Sequence, residues 1–312
     1  MPTQFLTYEQ QIDKLVNEKN LVVNDREAAM SALRDIGYFA LINGYKWPLR
    51  NPMTRKYEDG TRFEDILALY HFDDDMRVLL SGCFWRVERK LRNAVAHSFC
   101  ERFGTGQGAY LDAANYSAAR SARRDVRRLL GILEYHANDN MQHEYLVHQR
   151  TRHGNVPLWA TLNAMTFGQV SKMYELLHPG VKAAVAKQFA NVNERQLANV
   201  LKVLVLFRNV CVHNERLFSH KVHSDIFDTP LHAKLGIPKA GNEYVQGKHD
   251  LFAVVIALRY LLPSPEFLAF KRGLSRLIDG FVARNAKIDE ARLLDLMGFP
   301  ANWKSMTRYK LR

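Results

Sequence analysis

A six-residue pattern occurs twice in this chain, as Arg92-Asn93-Ala94-Val95-Ala96-His97 and as Arg208-Asn209-Val210-Cys211-Val212-His213. Each copy lies in a stretch of helical periodicity, where residues four apart share a face, so Asn and His become neighbours beside a guanidinium. An imidazole titrates near neutral pH and can take or give a proton. An arginine can hold a phosphate through two parallel hydrogen bonds and stabilise charge building on its oxygens, while an asparagine can orient either group. Together these are the parts for cleaving RNA by attack of its own 2′-OH, a chemistry that calls for no metal and no cofactor. One histidine cannot conveniently be both acid and base in a single step. A site assembled from two motif copies, within one chain or across a homodimer, is therefore chemically sensible.

The two copies differ in setting. On a helical wheel at about 100° per residue, Asn199, Lys202, Asn209 and His213 fall within about 80° of one another, a polar strip on a helix otherwise built from Leu, Val and Phe. Arg208 falls on the apolar half beside Leu197, Leu201 and Leu204, where an unpaired charge is expensive. It must find a carboxylate, bend toward the Asn/His strip, or meet an anion; a helix-end Arg capped by carbonyls and a surface His are the plainer explanation. In the first copy Arg92, Asn93 and His97 share the polar side, and Glu88 four residues before Arg92 makes an adequate structural partner for that arginine.

Two further clusters bear on chemistry. Arg120, Arg123, Arg124, Arg127 and Arg128 recur within an arc of about 140° on a helix, opposite Val126, Leu129, Leu130 and Leu133. Diluted only by Asp125, they read equally as a phosphate-gripping stripe and as a solvated face. His143-Glu144-Tyr145-Leu146-Val147-His148 resembles a zinc-protease motif, but its histidines are five apart instead of the four that put both on one face. No metal site is expected, although His136, His143, His148 and His153 could gather adventitiously.

The elements that must position these groups are helical almost throughout, which makes the expected fold class all-α. Capping signals at Thr7 with Gln10 and at Asn24 with Glu27 start the first two helices, the second closing near Gly37. Residues 38–62 are turn-rich and aromatic, a packed loop with at most a short hairpin. Asp73-Asp74-Asp75 offers a cap and dipole-favourable carboxylates for a long helix to about Phe103. Further helices fit 117–138, 140–151, 157–164, 169–177, 180–190 and 194–218. Residues 219–247 are weakly periodic and hold the one plausible internal boundary, so the chain divides into a core, 1–220, and an extension, 221–312, that can pack on it as one unit. The extension carries amphipathic helices at 249–262, 264–284 and 288–297, then a basic tail with Lys304, Arg308, Lys310 and Arg312.

Across 312 residues, 47% hydrophobic and 24% charged content excludes a disordered chain. The net charge of +12 favours a polyanionic partner such as nucleic acid or an anionic membrane surface. No apolar run approaches the roughly 18 residues that span a bilayer, and the arginine stripe lacks a Trp or Phe wedge for membrane binding. The first ten residues do not read as a signal peptide. Three cysteines, Cys83, Cys100 and Cys211, all in probable helices, argue against a disulfide framework. A cytoplasmic location follows as the expectation.

The Arg-Asn-x-x-x-His pattern near a helix end resembles the signature of HEPN-type ribonucleases. The surrounding chain resembles the bacterial abortive-infection (Abi) phage-resistance proteins of the AbiD/AbiF kind. The stretches that carry the likeness are Tyr38 to Tyr45, Phe63 to Asp73 leading to Val87 to Arg92, Pro157-Leu158-Trp159 with Phe167 to Ser171, and Arg208 to Phe218. The resemblance implies a HEPN-like helical bundle with additional C-terminal helices and metal-independent endoribonuclease activity that halts growth of infected cells. It also implies restraint by a regulatory noncoding RNA or a protein antitoxin. Arg208, Asn209 and His213 match its catalytic motif, and Arg216 matches an arginine found just after it, here counted with the stripe as RNA-binding. His97 departs from the family, which leaves Arg92, Asn93 and His97 as a second half-site to be tested. Beside the enzyme stand a non-catalytic module that binds a partner or antitoxin RNA, and, more weakly, a helical substrate of a nucleotidyltransferase.

Overall fold

The computed structural model describes residues 5–311; Arg312 of the basic tail lies outside them. Fourteen α-helices account for most of the described chain: α1 (Tyr8–Asn17), α2 (Arg26–Ile36), α3 (Phe63–Phe103), α4 (Gln107–Leu111), α5 (Arg123–Glu134), α6 (Glu144–His153), α7 (Leu158–Ala164), α8 (Phe167–Leu176), α9 (Pro179–Lys187), α10 (Glu194–Val212), α11 (Pro230–Lys234), α12 (Leu251–Leu261), α13 (Ser264–Val282) and α14 (Glu290–Met297). The β-structure is one antiparallel hairpin, β1 (Lys239–Ala240) with β2 (Glu243–Tyr244), plus isolated bridges. The fold is all-α.

The axis of the molecule is α3, whose 41 residues run about 60 Å at the helical rise. α7, α8, α9, α10 and α13 all pack along it. Its start differs from the expectation at Asp73. The helix begins ten residues earlier, where the Asp65 carboxylate reaches back to the Arg62 backbone N–H at 2.8 Å. Asp73 is instead fully buried in mid-helix, because its partners come from elsewhere in the chain.

Local signals near helix ends fare unevenly. Thr7 and Gln10 form the reciprocal capping box. In α2 the cap is Asp25, whose carboxylate accepts from the Ala28 N–H at 2.9 Å, one residue beyond the expected Asn24. The 117–138 helix is shorter than its periodicity implied: Arg120 sits on a 3₁₀ turn, α5 starts at Arg123, and residues Tyr135–Asp139 form a π-helical turn. A second π-helical turn, Phe39–Asn43, occupies the loop after α2.

One cluster of buried apolar side chains runs from Ile12 to Met306, so the C-terminal helices share the core of the rest. Within it α12 is buried all round from Leu251 to Leu258 instead of amphipathic. Lying against α10, it is a central helix of the bundle. No described helix is long and apolar enough to cross a membrane.

Candidate active site

The second motif copy closes α10. That helix ends at Val212, six residues before the end of the periodic stretch, because Asn214 adopts φ +54°. Asparagine tolerates this left-handed conformation. The Glu215 N–H then donates to the Val210 carbonyl at 3.0 Å and the Asn214 N–H to Cys211 at 3.3 Å, the paired bonds of a Schellman cap. His213 is the capping residue, and its backbone N–H still donates to the Asn209 carbonyl at 2.9 Å. Asn209 and His213 therefore remain on adjacent turns, both exposed.

Arg208 is half-buried. It bends toward the polar strip, where Nη1 donates to Asn209 Oδ1 at 3.4 Å. Its Nε is buried without a hydrogen-bond partner, and no carboxylate pairs with it among the described residues. Asn199, at the far end of the strip, is spent on structure: it binds the Asp225 carbonyl and the Phe227 N–H, both at 2.6 Å. Cys211 sits inside the motif, yet burial pushes its thiol up to about 12, which removes it as a nucleophile.

The chain after His213 is clamped from α3. Asp73 Oδ2 accepts from the Leu217 N–H at 2.8 Å, from Tyr45 Oη at 2.7 Å and from Arg77 Nη1 at 2.9 Å, while Oδ1 accepts from the Phe218 N–H at 2.6 Å. Arg77, four residues on, also donates to the Glu215 carbonyl at 3.1 Å. Burial raises the Asp73 carboxyl above the usual range, opposed by these four donors. With no acceptor facing it, the carboxylate form is the one that the site is built for. The i,i+4 spacing of Asp73 and Arg77 was the available signal for this pair. The three consecutive aspartates favoured reading a helix start instead.

The clamp gives His213 a cavity of about 450 Å³, within the range of small-ligand clefts of about 300–1,000 Å³. Its wall joins the π-helical turn, Tyr70 of α3, and the segment His213 to Arg216 with His220. Phe39 stands at its edge with 81% of its surface exposed. Arg208 and Asn209 do not line the cavity and occupy the preceding turn of α10. Arg216 does line it, but one of its donors is held by the Gly44 carbonyl at 2.9 Å and its guanidinium lies 5.9 Å from the Trp47 ring.

The first copy lies elsewhere. Arg92 Nη2 donates to Glu88 Oε1 at 2.6 Å and to the Met165 carbonyl at 2.5 Å, so this arginine ties α3 to the α7–α8 turn and neutralises a buried Glu88. His97 is 73% exposed, 4.0 Å from Glu101, in an open cleft with Asn93 and Trp159. The two copies do not meet within the chain. Arg77 marks where the His213 loop touches α3, and His97 is twenty residues further along, about 30 Å. Within one chain His97 and His213 line different cavities, separated by the length of α3.

Four of the five stripe arginines lie on α5 and Arg120 on the 3₁₀ turn before it. Arg120, Arg123, Arg124, Arg127 and Arg128 are all exposed, and none is in an ion pair or hydrogen bond among the described residues. Their one acidic neighbour is engaged across a groove: the Lys172 ammonium, 2.9 Å from Asp125, holds that carboxyl below its usual range. Gly168 lines the same groove, and α8 approaches α10 there so closely that a Cβ on Gly168 would stand 3.4 Å from Val205. Arg128 is the stripe residue that lines this groove, and Val205 is about one helical turn before Arg208. Among the described residues no three His, Cys, Asp or Glu side chains are grouped to hold a metal ion.

The sequence profile of a family described as Abi-like protein matches residues 31–219, which take in the π-helical turn, the Asp73 clamp and the second motif copy. No curated protein matches the chain, and no solved structure does.

Proposed function

The chain belongs to the Abi-like protein family, and from that premise we propose that it acts in abortive-infection phage defence as a HEPN-type endoribonuclease. RNA is cleaved by attack of a ribose 2′-OH on the adjacent phosphate. The observation that carries this reading is Arg208, a half-buried guanidinium with no carboxylate partner among the described residues, five residues before an exposed imidazole and hydrogen-bonded to the Asn209 that shares that imidazole's face. Partial burial without a carboxylate makes a guanidinium a favourable place for an external anion, and a phosphate accepts bidentate hydrogen bonds from arginine. In this reading Arg208 holds the scissile phosphate, Asn209 orients the guanidinium through its Oδ1, and His213 transfers a proton. None of these steps calls on a metal ion.

Arg120, Arg123, Arg124, Arg127 and Arg128 supply the grip on the strand. They carry five positive charges with no internal partner, so their binding to single-stranded RNA releases counterions. Replacing Arg124 and Arg127 together by Ala is expected to weaken binding to all RNA sequences alike. The slope of log K against log salt should fall by about 1.4, roughly 0.7 per lost phosphate contact. A slope equal to that of the wild type would remove the stripe from the interface. A regulatory RNA or protein antitoxin that restrains the enzyme would compete for this basic surface.

The reaction is tested with an RNA oligonucleotide and its copy carrying a single 2′-deoxy sugar at the cleaved position, in buffer containing EDTA. Cleavage is expected only with the ribose intact, leaving a 2′,3′-cyclic phosphate and a 5′-OH. Cleavage of both substrates, or binding without any cleavage, would defeat the mechanism; the second outcome would favour a binding module for a partner RNA.

A further inference from the structure

Attack by a 2′-OH needs two proton transfers, one off the nucleophile and one onto the leaving oxygen. His213 can make only one of them in a given step, and His97 is about 30 Å away along α3. The cavity holds another imidazole. His220 lines the same wall as His213, seven residues later, on the segment that the Asp73 clamp pins at Leu217 and Phe218. Its ring stands edge-on to Phe207 at 5.5 Å and 82°, and its backbone N–H donates to the Leu217 carbonyl at 2.9 Å. Neither ring nitrogen has a hydrogen bond or ion pair among the described residues. The ring is thus held against Phe207, with both nitrogens unpartnered among the described residues.

We propose that His220 is the second proton-transfer group of this site, acting as general base on the 2′-OH while His213 acts as general acid on the leaving 5′-oxygen. The assignment rests on the ribonuclease reading above. Neutral His220 accepts the 2′-OH proton as the 2′-oxygen forms its bond to phosphorus. The bond from phosphorus to the 5′-oxygen breaks, and protonated His213 donates its proton to that oxygen. The products are a 2′,3′-cyclic phosphate and a 5′-OH, and solvent then resets the two imidazoles.

The environment suits these roles. Burial lowers the His220 pKa, with Glu215 opposing and Arg216 reinforcing the shift, which favours the neutral ring that a base must present. Other titratable groups on the cavity wall are His213 from the end of α10, Tyr45, and Tyr70 of α3. His213 is exposed and can draw its proton from water.

Two variants test the inference on the full chain. His220→Gln keeps polarity without a proton-accepting imidazole, and His220→Phe keeps the packing on Phe207. Both are expected to lose about 10²–10⁴-fold in cleavage, and both should lose the low-pH limb of the bell-shaped rate profile, which requires a deprotonated base. An RNA whose leaving group is a 5′-thiolate needs no general acid; it should rescue His213→Ala and leave the His220 variants slow. Cleavage by either His220 variant within about threefold of wild type, with His213→Ala inactive, would overturn the inference and leave the ribonuclease reading standing. Thiolate rescue of the His220 variants would overturn the assigned roles. A wild-type protein that cleaves no RNA would remove both. Should a variant fail to fold, NMR of the wild-type imidazoles during titration with uridine 2′,3′-cyclic monophosphate decides instead. Both rings are expected to shift, and an unmoved His220 would overturn the proposal.

Discussion

His213→Ala is expected to lower RNA cleavage by about 10²–10⁴-fold, the usual contribution of a positioned acid or base, while RNA affinity and folding stay close to wild type. Stability should hold because the side chain is exposed and makes no hydrogen bond among the described residues, and because the cap that ends α10 is built from the backbone of residues 210–215. Affinity should hold because the proposed grip comes from Arg208 and from the arginines on α5 and the 3₁₀ turn before it. Measured by cleavage rate and filter binding side by side, loss of both together would point to a disrupted surface. Undiminished cleavage would remove His213 from the reaction.

Asp73→Ala is expected to have the largest effect on stability of any single change around the site. The substitution removes the buried partner of the Arg77 guanidinium, 3% exposed, leaving it only the half-exposed Asp74 carboxylate at 3.1 Å as an ionic partner, and deprives the Leu217 and Phe218 amides of their acceptor. Breaking a buried ion pair from one side costs about 3–5 kcal/mol, and a buried amide left without an acceptor costs about 1–3 kcal/mol. These terms overlap, so a loss of about 3–5 kcal/mol in chemical denaturation is the expected total. The double variant Asp73→Ala with Arg77→Met should recover part of it by removing a buried charge that has lost its buried partner, although the two amides stay unpaired. A loss below about 1 kcal/mol for the single variant would show that the clamp is not what holds the loop after His213. Cleavage by the folded fraction should also fall, since that loop carries His213 and His220 into one cavity.

How far the site was legible in the sequence depended on distance along the chain. Glu88 and Arg92 are four residues apart, and the ion pair expected from that spacing is present at 2.6 Å. The Thr7 and Gln10 box spans three residues and is formed. Asp73 shows the opposite case. Its acidic neighbours suggested a helix start, whereas its acceptors are committed to amides 144 and 145 residues away. His220 lies outside any motif and acquires interest only because the clamped loop folds it against Phe207 and into the cavity of His213.

The sequence by itself determined the all-helical class, the adjacency of Asn209 and His213, the misplaced charge of Arg208 and the structural neutralisation of Arg92. Each of these follows from the helical repeat, which sets neighbours within one or two turns whatever the rest of the chain does. Only the tertiary structure decided that the two motif copies are held apart by the length of α3, that Asp73 anchors the segment after α10, and that His213 shares its cavity with His220. Those relations join residues of remote sequence position through packing and buried hydrogen bonds, for which spacing along the chain carries no signature.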